Sequence, residues 1–148
     1  MATLEAPRGV PESTERSSRF ELTDRELASA VFDNAAEAII VTDAGGHFVE
    51  VNPAFLRMTG YAASEVLGKA VSMIKSGRHP PEFYDEMWQC LSRENRWQGE
   101  IWNRRKNGEM YAQMLTISAV RDDHGHTQQY VALSSDITAL KEHGQKLE

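Results

Sequence analysis

The most regular pattern in the chain lies between Trp97 and Asp136, where side chains alternate between two faces in three consecutive runs. The first run, residues 97–105, is followed by Asn107-Gly108, the pair suited to a tight two-residue hairpin. Residues 111–119 read as a returning strand, the polar loop 122–126 as a second turn, and residues 130–135 as a third strand. The period of two puts Trp97, Gly99, Ile101 and Asn103 on one face, with Tyr111, Gln113, Leu115 and Ile117, and then Ala132 and Ser134. Asn103 and Gln113 therefore point inward among apolar neighbours. An amide buried without a partner costs about 1–3 kcal/mol, so each needs another side chain, a water or the polar edge of a ligand. A curved sheet with a partly polar inner face predicts a pocket.

Upstream, Ala38-Ile39-Ile40-Val41-Thr42-Asp43 reads as a buried strand, Gly45-Gly46 as a hairpin turn and residues 47–51 as its partner. Before it, Thr23 and Glu26 have capping-box spacing, with Leu22 and Leu27 placed as a hydrophobic staple. They predict a short helix over 24–32 whose Leu27, Ala30 and Val31 share one stripe. Asn52 and Pro53 start another helix that ends near Gly60, and Ser64-Glu65 begin a turn stopped by Gly68. Residues 75–80 are rich in turn formers, and Pro81 opens a longer helix to about Ser92, with Phe83, Met87 and Leu91 at helical spacing. Residues 1–19 carry almost no large apolar side chains and read as a disordered tail or linker. The organisation expected is that tail, a flanking helix over 20–34, one α+β domain over 35–138, and the start of a second helix over 139–148.

At 148 residues there is material for one domain. A net charge of −6 without a basic stripe argues against nucleic acid and against an anionic membrane surface. Cys90 is the only cysteine, so an internal disulfide is excluded, and no apolar run reaches the roughly 20 residues of a membrane span. A cytoplasmic location, or the cytosolic side of a membrane receptor, is expected. Nucleophile-elbow, P-loop and zinc-protease patterns are absent, so catalysis by this segment is not expected.

Several ordered words in the chain closely resemble the PAS domain family of sensory modules. They are Val41-Thr42-Asp43, Gly46, residues 51–55, Thr59-Gly60-Tyr61, residues 65–69, Trp97-Gln98-Gly99-Glu100, residues 103–108 and Ser135-Asp136-Ile137-Thr138. The resemblance covers roughly Leu27 to Thr138. It implies a five-stranded antiparallel sheet with short helices on one face, flanking N- and C-terminal helices, and a ligand or cofactor held between sheet and helices. The version here is similar to PAS domains found ahead of bacterial cyclic-di-GMP synthesis and hydrolysis domains, with a weaker similarity to flavin-binding redox sensors. It implies a sensory input domain responding to a small ligand or redox state and controlling an attached output domain. The resemblance also implies a relay role for Asp136 and Thr138.

In flavin-binding members, inward amides at the positions of Asn103 and Gln113 contact the isoalloxazine ring, and Trp97 resembles an aromatic beside the flavin in redox-sensing members. The candidate ligand-contact set is Asn103, Gln113, Trp97, Ile101, Tyr111, Leu115, Ser134 and Val71. FAD or FMN is a candidate cofactor, but Val71 stands where the light-sensing branch has its reactive cysteine and where the redox-sensing branch carries a glutamate. No cysteinyl photoadduct is expected. Haem is disfavoured because the helix from Pro81 contains no histidine, and His79, just ahead of it, reads as a solvated loop residue. His124 and His126 are better explained by a turn than by a metal site.

The opposite face of the strands carries Trp102, Met110, Met114, Val131 and Leu133. Such a patch calls for a cover, supplied by the Leu27 and Val31 stripe of the first helix from the same chain or from a second copy; a homodimer is expected. Downstream, Ile137, Leu140, Gly144 and Leu147 have spacing that could begin a coiled coil, the exit toward an output domain. The rival reading is a ligand-free dimerisation module.

Overall fold

The computed structural model describes residues 21–147, with side chains described as far as 144. The expected tail over 1–19 lies outside the described residues, as does the side chain of Leu147. Helix α1 (Asp24–Asn34) opens with the capping box: Glu26 N–H donates to Thr23 Oγ1 at 3.0 Å and Thr23 N–H to Glu26 Oε1 at 3.0 Å. It buries none of its side chains, and Leu27 and Val31 are more than half exposed.

Five antiparallel strands follow: β1 (Ala38–Asp43), β2 (Phe48–Val51), β3 (Arg96–Arg104), β4 (Met110–Arg121) and β5 (Thr127–Asp136), in the spatial order β2-β1-β5-β4-β3. Between β2 and β3 come α2 (Pro53–Thr59), α3 (Ala63–Val66), a 3-10 turn (Val71–Ile74) and α4 (Pro81–Glu94); α5 (Thr138–Leu147) follows β5. The chain thus has the α+β order read from its sequence.

All three hairpins close alike. Gly46, Gly108 and Gly125 donate to the carbonyls of Asp43, Arg105 and Asp122 three residues back, and those residues donate to His47, Glu109 and His126. Each is a type I turn completed by a glycine in the left-handed region, with φ of 82°, 93° and 84°. The two-residue turn expected at Asn107-Gly108 is therefore corrected to a three-residue loop. Asn107 keeps a negative φ as an inner residue of that turn, and its side chain accepts the Glu109 N–H at 2.9 Å. Asp43 serves its own turn in the same way, taking N–H bonds from Gly45 and His47; the His47 N–H leads in holding its carboxyl below the ordinary range.

Asn52 ties the helices to the sheet. It is fully buried; its Oδ1 accepts from Phe55 N–H at the start of α2 and from Ile39 N–H in β1, and its Nδ2 donates to Glu37 O. One side chain caps a helix and satisfies two groups beside an edge of the ladder. The α2 helix ends at Gly60, whose φ of 82° favours glycine. Two apolar clusters form over the inner face of the sheet. One gathers Ile40, Phe48, Phe55, Val66 and Ile74; the other gathers Met87, Leu91, Ile101 and Leu115.

Asn52→Ala should destabilise the domain by about 2–3 kcal/mol, combining a lost cap with an orphaned Ile39 N–H. Urea denaturation with an unchanged m-value would check it.

Candidate functional site

The space between the two clusters is a cavity of about 290 Å³, at the small end of the roughly 300–1,000 Å³ typical of ligand pockets. Ile40, Phe48, Val71, Ile74, Met87, Ile101, Leu115 and Ile117 make most of its wall apolar, and Asn103 and Gln113 bring their amides to it from β3 and β4. The ladder explains the pairing, because Gln113 stands opposite Ile101 and one diagonal step from Asn103. Their side chains meet at 2.5 Å, and the other end of the Gln113 amide lies 2.7 Å from Ser134 Oγ on β5. Three adjacent strands are joined by one chain of buried polar groups.

The direction of that chain follows from its end. The Asn103 amide faces the carbonyls of Ile74 at 3.1 Å and Trp102 at 3.3 Å, so its nitrogen belongs there as donor. Its oxygen then accepts from the Gln113 nitrogen, and the Gln113 oxygen accepts from the Ser134 hydroxyl. Met58 of α2 brings its sulfur 3.5 Å from the end of the Gln113 amide that faces Ser134 and 3.9 Å from Ser134 Oγ.

Of the residues expected to contact a ligand, the cavity gathers Asn103, Gln113, Ile101, Leu115 and Val71. Trp97, Tyr111 and Ser134 do not line it. Trp97 has folded over Gly99 on its own face, leaving room for no side chain there: a Cβ at Gly99 would lie 2.8 Å from Trp97 Cζ2. The indole is further held edge-on by Phe83 at 5.9 Å. Tyr111 is buried at the far end of β4 beneath the Arg105 guanidinium, 4.3 Å from its ring centroid, and burial pushes its hydroxyl pKa up. Ser134 sits behind Gln113, fully buried.

Sequence reasoning missed Tyr84 and Lys75. Both line the cavity, with the Lys75 ammonium 4.1 Å from the Tyr84 ring centroid. The Tyr84 hydroxyl is buried without a hydrogen-bond partner, and burial raises its pKa. The available signal was its place one helical turn before Trp88, which also lines the wall. His79 was read as solvated, and the structure corrects this: its Nε2 accepts the Trp102 N–H at 2.9 Å and its ring stacks on Phe83 at 4.1 Å. That nitrogen is engaged, and His79 lies outside the cavity wall. Among the described residues no group of three or more His, Cys, Asp or Glu side chains is arranged to hold a metal.

At the Tyr111 end of β4, Arg105 donates to Asp136 Oδ2 at 2.8 Å, to Glu109 at 2.9 Å and to the carbonyl of Met58. Asp136 also accepts the N–H and hydroxyl of Thr138, whose Oγ1 accepts Ala112 N–H. Burial alone would raise the Asp136 pKa; the Thr138 bonds and the Arg105 guanidinium outweigh it and hold the carboxyl below the usual range. Lys141 of α5 pairs with Glu100 of β3 at 2.7 Å. On the outer face, Met110, Met114 and Leu133 remain more than a third exposed, and Trp102 is partly covered by the Arg78 guanidinium at 4.0 Å.

A sheet cradling a small cavity under short helices, with a helix leaving its last strand through a capped carboxylate, defines a class of sensory module. The chain belongs to the PAS domain family, whose model matches residues 36–139. It is 34% identical over 112 residues to a nitrogen fixation regulatory protein of Klebsiella oxytoca, covering 76% of this chain and 23% of that protein. It is 32% identical over 129 residues to a blue-light-activated histidine kinase of Rhizobium johnstonii, covering 84% of this chain and 37% of that one. Among solved structures it resembles an RNA-binding Light-Oxygen-Voltage receptor, with TM-score 0.74 and 28% identity, over 84% of this chain and 35% of that one. The chain spans well under half the length of these relatives.

Gln113→Leu should cost about 1–3 kcal/mol in urea denaturation, because it leaves the Asn103 amide and Ser134 hydroxyl buried without their partner. Asp136, with its lowered folded pKa, stabilises the fold above its unfolded value near 3.8 and loses that contribution as pH falls through the folded value. Asp136→Asn should therefore flatten the acid limb of the stability curve below about pH 4, measured by thermal melting across pH.

Proposed function

We propose that this chain is the input domain of a larger bacterial signalling protein, its cavity taking a planar ligand with a hydrogen-bonding edge, of which a flavin is the best-fitting class. The observation that carries this reading is the amide strip of Asn103 and Gln113 on an otherwise apolar cavity wall. The Tyr84 hydroxyl on the same wall is buried without a hydrogen-bond partner, a group that a bound polar edge would satisfy; the Tyr111 hydroxyl, off the cavity, is likewise unpartnered. The names of the relatives, a blue-light-activated kinase and a Light-Oxygen-Voltage receptor, favour the same class.

The residues fit such a group. Asn103 and Gln113 would hold the polar edge of the ring system, and Ile40, Ile101, Leu115 and Ile117 would pack on its faces. When bound, FAD or FMN supplies reversible redox chemistry and absorption of blue light. Val71 brings an alkyl group to the wall, so no thiol is present there for adduct formation. Asn103 and Gln113 orient the ring through donors and acceptors already linked to Ser134. Met58 and Arg105 carry any repacking of that strip to Asp136 and Thr138, and so to α5. The attached output is a kinase or regulatory domain in these relatives; a cyclic-di-GMP output rests on the sequence resemblance alone. No described helix is long and apolar enough to cross a membrane, in keeping with a cytoplasmic input domain.

A second reading, a ligand-free dimerising module, is favoured by the exposed Met110, Met114 and Leu133 and by the bare Leu27 and Val31 stripe of α1. Homodimerisation is compatible with both readings. Purified protein should show a flavin absorption band in the visible and release FAD or FMN on denaturation, identified by mass spectrometry. Asn103→Leu should lower its retention about tenfold or more, the worth of one buried hydrogen bond of roughly 1.5 kcal/mol. A colourless protein that is a stable dimer and takes up no added flavin would move the assignment to the second reading.

A further inference from the structure

Residues 75–79 form a strap along the outer side of β3, the edge strand of the sheet. Four contacts fasten it. Lys75 bridges to Asn103, Arg104 Nη2 donates to Ser76 O at 3.0 Å, the Arg78 guanidinium lies over the Trp102 ring, and His79 Nε2 accepts the Trp102 N–H at 2.9 Å. The strap is also part of the cavity. Ile74, just before it, and Lys75 line the wall, Asn103 carries one of the wall's amides, and Ser76 is buried beneath. Gly77 turns the strap at a φ of 84°, which favours glycine.

Three of the fastenings hold at any ordinary pH. The fourth does not. His79 Nε2 can accept from Trp102 only when it carries no proton, and a protonated ring would set N–H against N–H. The groups around the ring favour the neutral form. Burial disfavours its charge first, and the adjacent Arg78 adds to the effect. Phe83 of α4 stacks on it and Tyr84 of α4 meets it edge-on at 6.1 Å. The other charges on the strap and on β3 are the cations Lys75, Arg96 and Arg104 and the anion Glu100, which is paired with Lys141, while α4 carries Glu82, Asp85 and Glu86 in its first turns. Among the described residues no carboxylate is hydrogen-bonded to or ion-paired with the ring, so a proton gained there meets no stabilising partner.

We propose that His79 is an acid-sensitive latch on the cavity wall: neutral, it holds the 75–79 strap against β3, and protonated, it releases the strap and opens a way into the cavity along that edge. The latch stands on the contacts just described, and its service as a ligand gate rests on the reading of the cavity as a ligand site. The sign is fixed by the acceptor role. The strap is closed above the folded pKa of His79, which lies below the ordinary 6.5, and opens as pH falls through it.

Amide exchange on 15N-labelled protein tests the latch without any ligand. Between about pH 8 and pH 5, after correction for intrinsic exchange, protection of the Trp102 N–H should fall about tenfold or more while that of Leu115 in the sheet centre holds. His79→Gln keeps an oxygen acceptor at every pH and should abolish the response. Protection of Trp102 that ignores pH, or that responds equally in His79→Gln, would overturn the latch. Riboflavin serves as the probe of gating: its association should quicken at the lower pH in the native chain and not in His79→Gln. Equal rates would overturn the gate alone, and no binding at either pH would overturn the ligand reading with it while the exchange result for the latch stands.

Discussion

The buried Gln113 amide is the constraint around which the inner face is organised. An amide in an apolar wall has to meet donors and acceptors at fixed distances, and here they come from the strands on either side, Asn103 on β3 and Ser134 on β5. A slip of one residue in either pairing would turn these groups to the outer face and leave the amide stranded. The polar chain therefore selects one register for three strands. Leu115 and Ile101 fill the same layer and would tolerate neighbouring arrangements far better.

The hairpins supply the other half of that specification. Each closes through a glycine at the fourth turn position, and in two of them an aspartate gathers the N–H groups of the loop. Local chemistry sets where each strand begins, and the interior polar chain checks that the strands agree. Asn52 does the same for the helical side, since α2 cannot shift without breaking its bond to Ile39. Turn, cap and interior choices point to one arrangement.

Much of this was legible in the chain because it is local. Alternation in residues 97–103 and 111–117 assigns the inner face correctly, and Asn52-Pro53 and Thr23/Glu26 announce helix starts that form as read. What was illegible depends on side chains meeting across long separations. Trp97 has the right face for a ligand contact, yet its indole lies down over Gly99, which only three-dimensional space reveals. His79 reads as a loop residue, but its partner is a backbone N–H 23 positions away. Tyr84 stands one helical turn before Trp88, a spacing that suits a core stripe as well as a pocket wall, and only the fold shows its hydroxyl buried without a partner. The loop at 106–108 has three residues although its Asn-Gly suits both loop lengths, because here the backbone bonds between Arg105 and Glu109 and between Gly108 and Arg105 close the longer one.

On the β4–β5 ladder, Gln113 faces Asp136 as its direct partner. The amide that meets the cavity and the carboxylate that caps the departing helix thus occupy a single rung. The proposed ligand contact and the proposed start of the relay are therefore direct neighbours across the ladder. In the function proposed above, a slight shear or change of twist between these two neighbouring strands would move the amide and the helix-capping carboxylate together, with no further element needed between them.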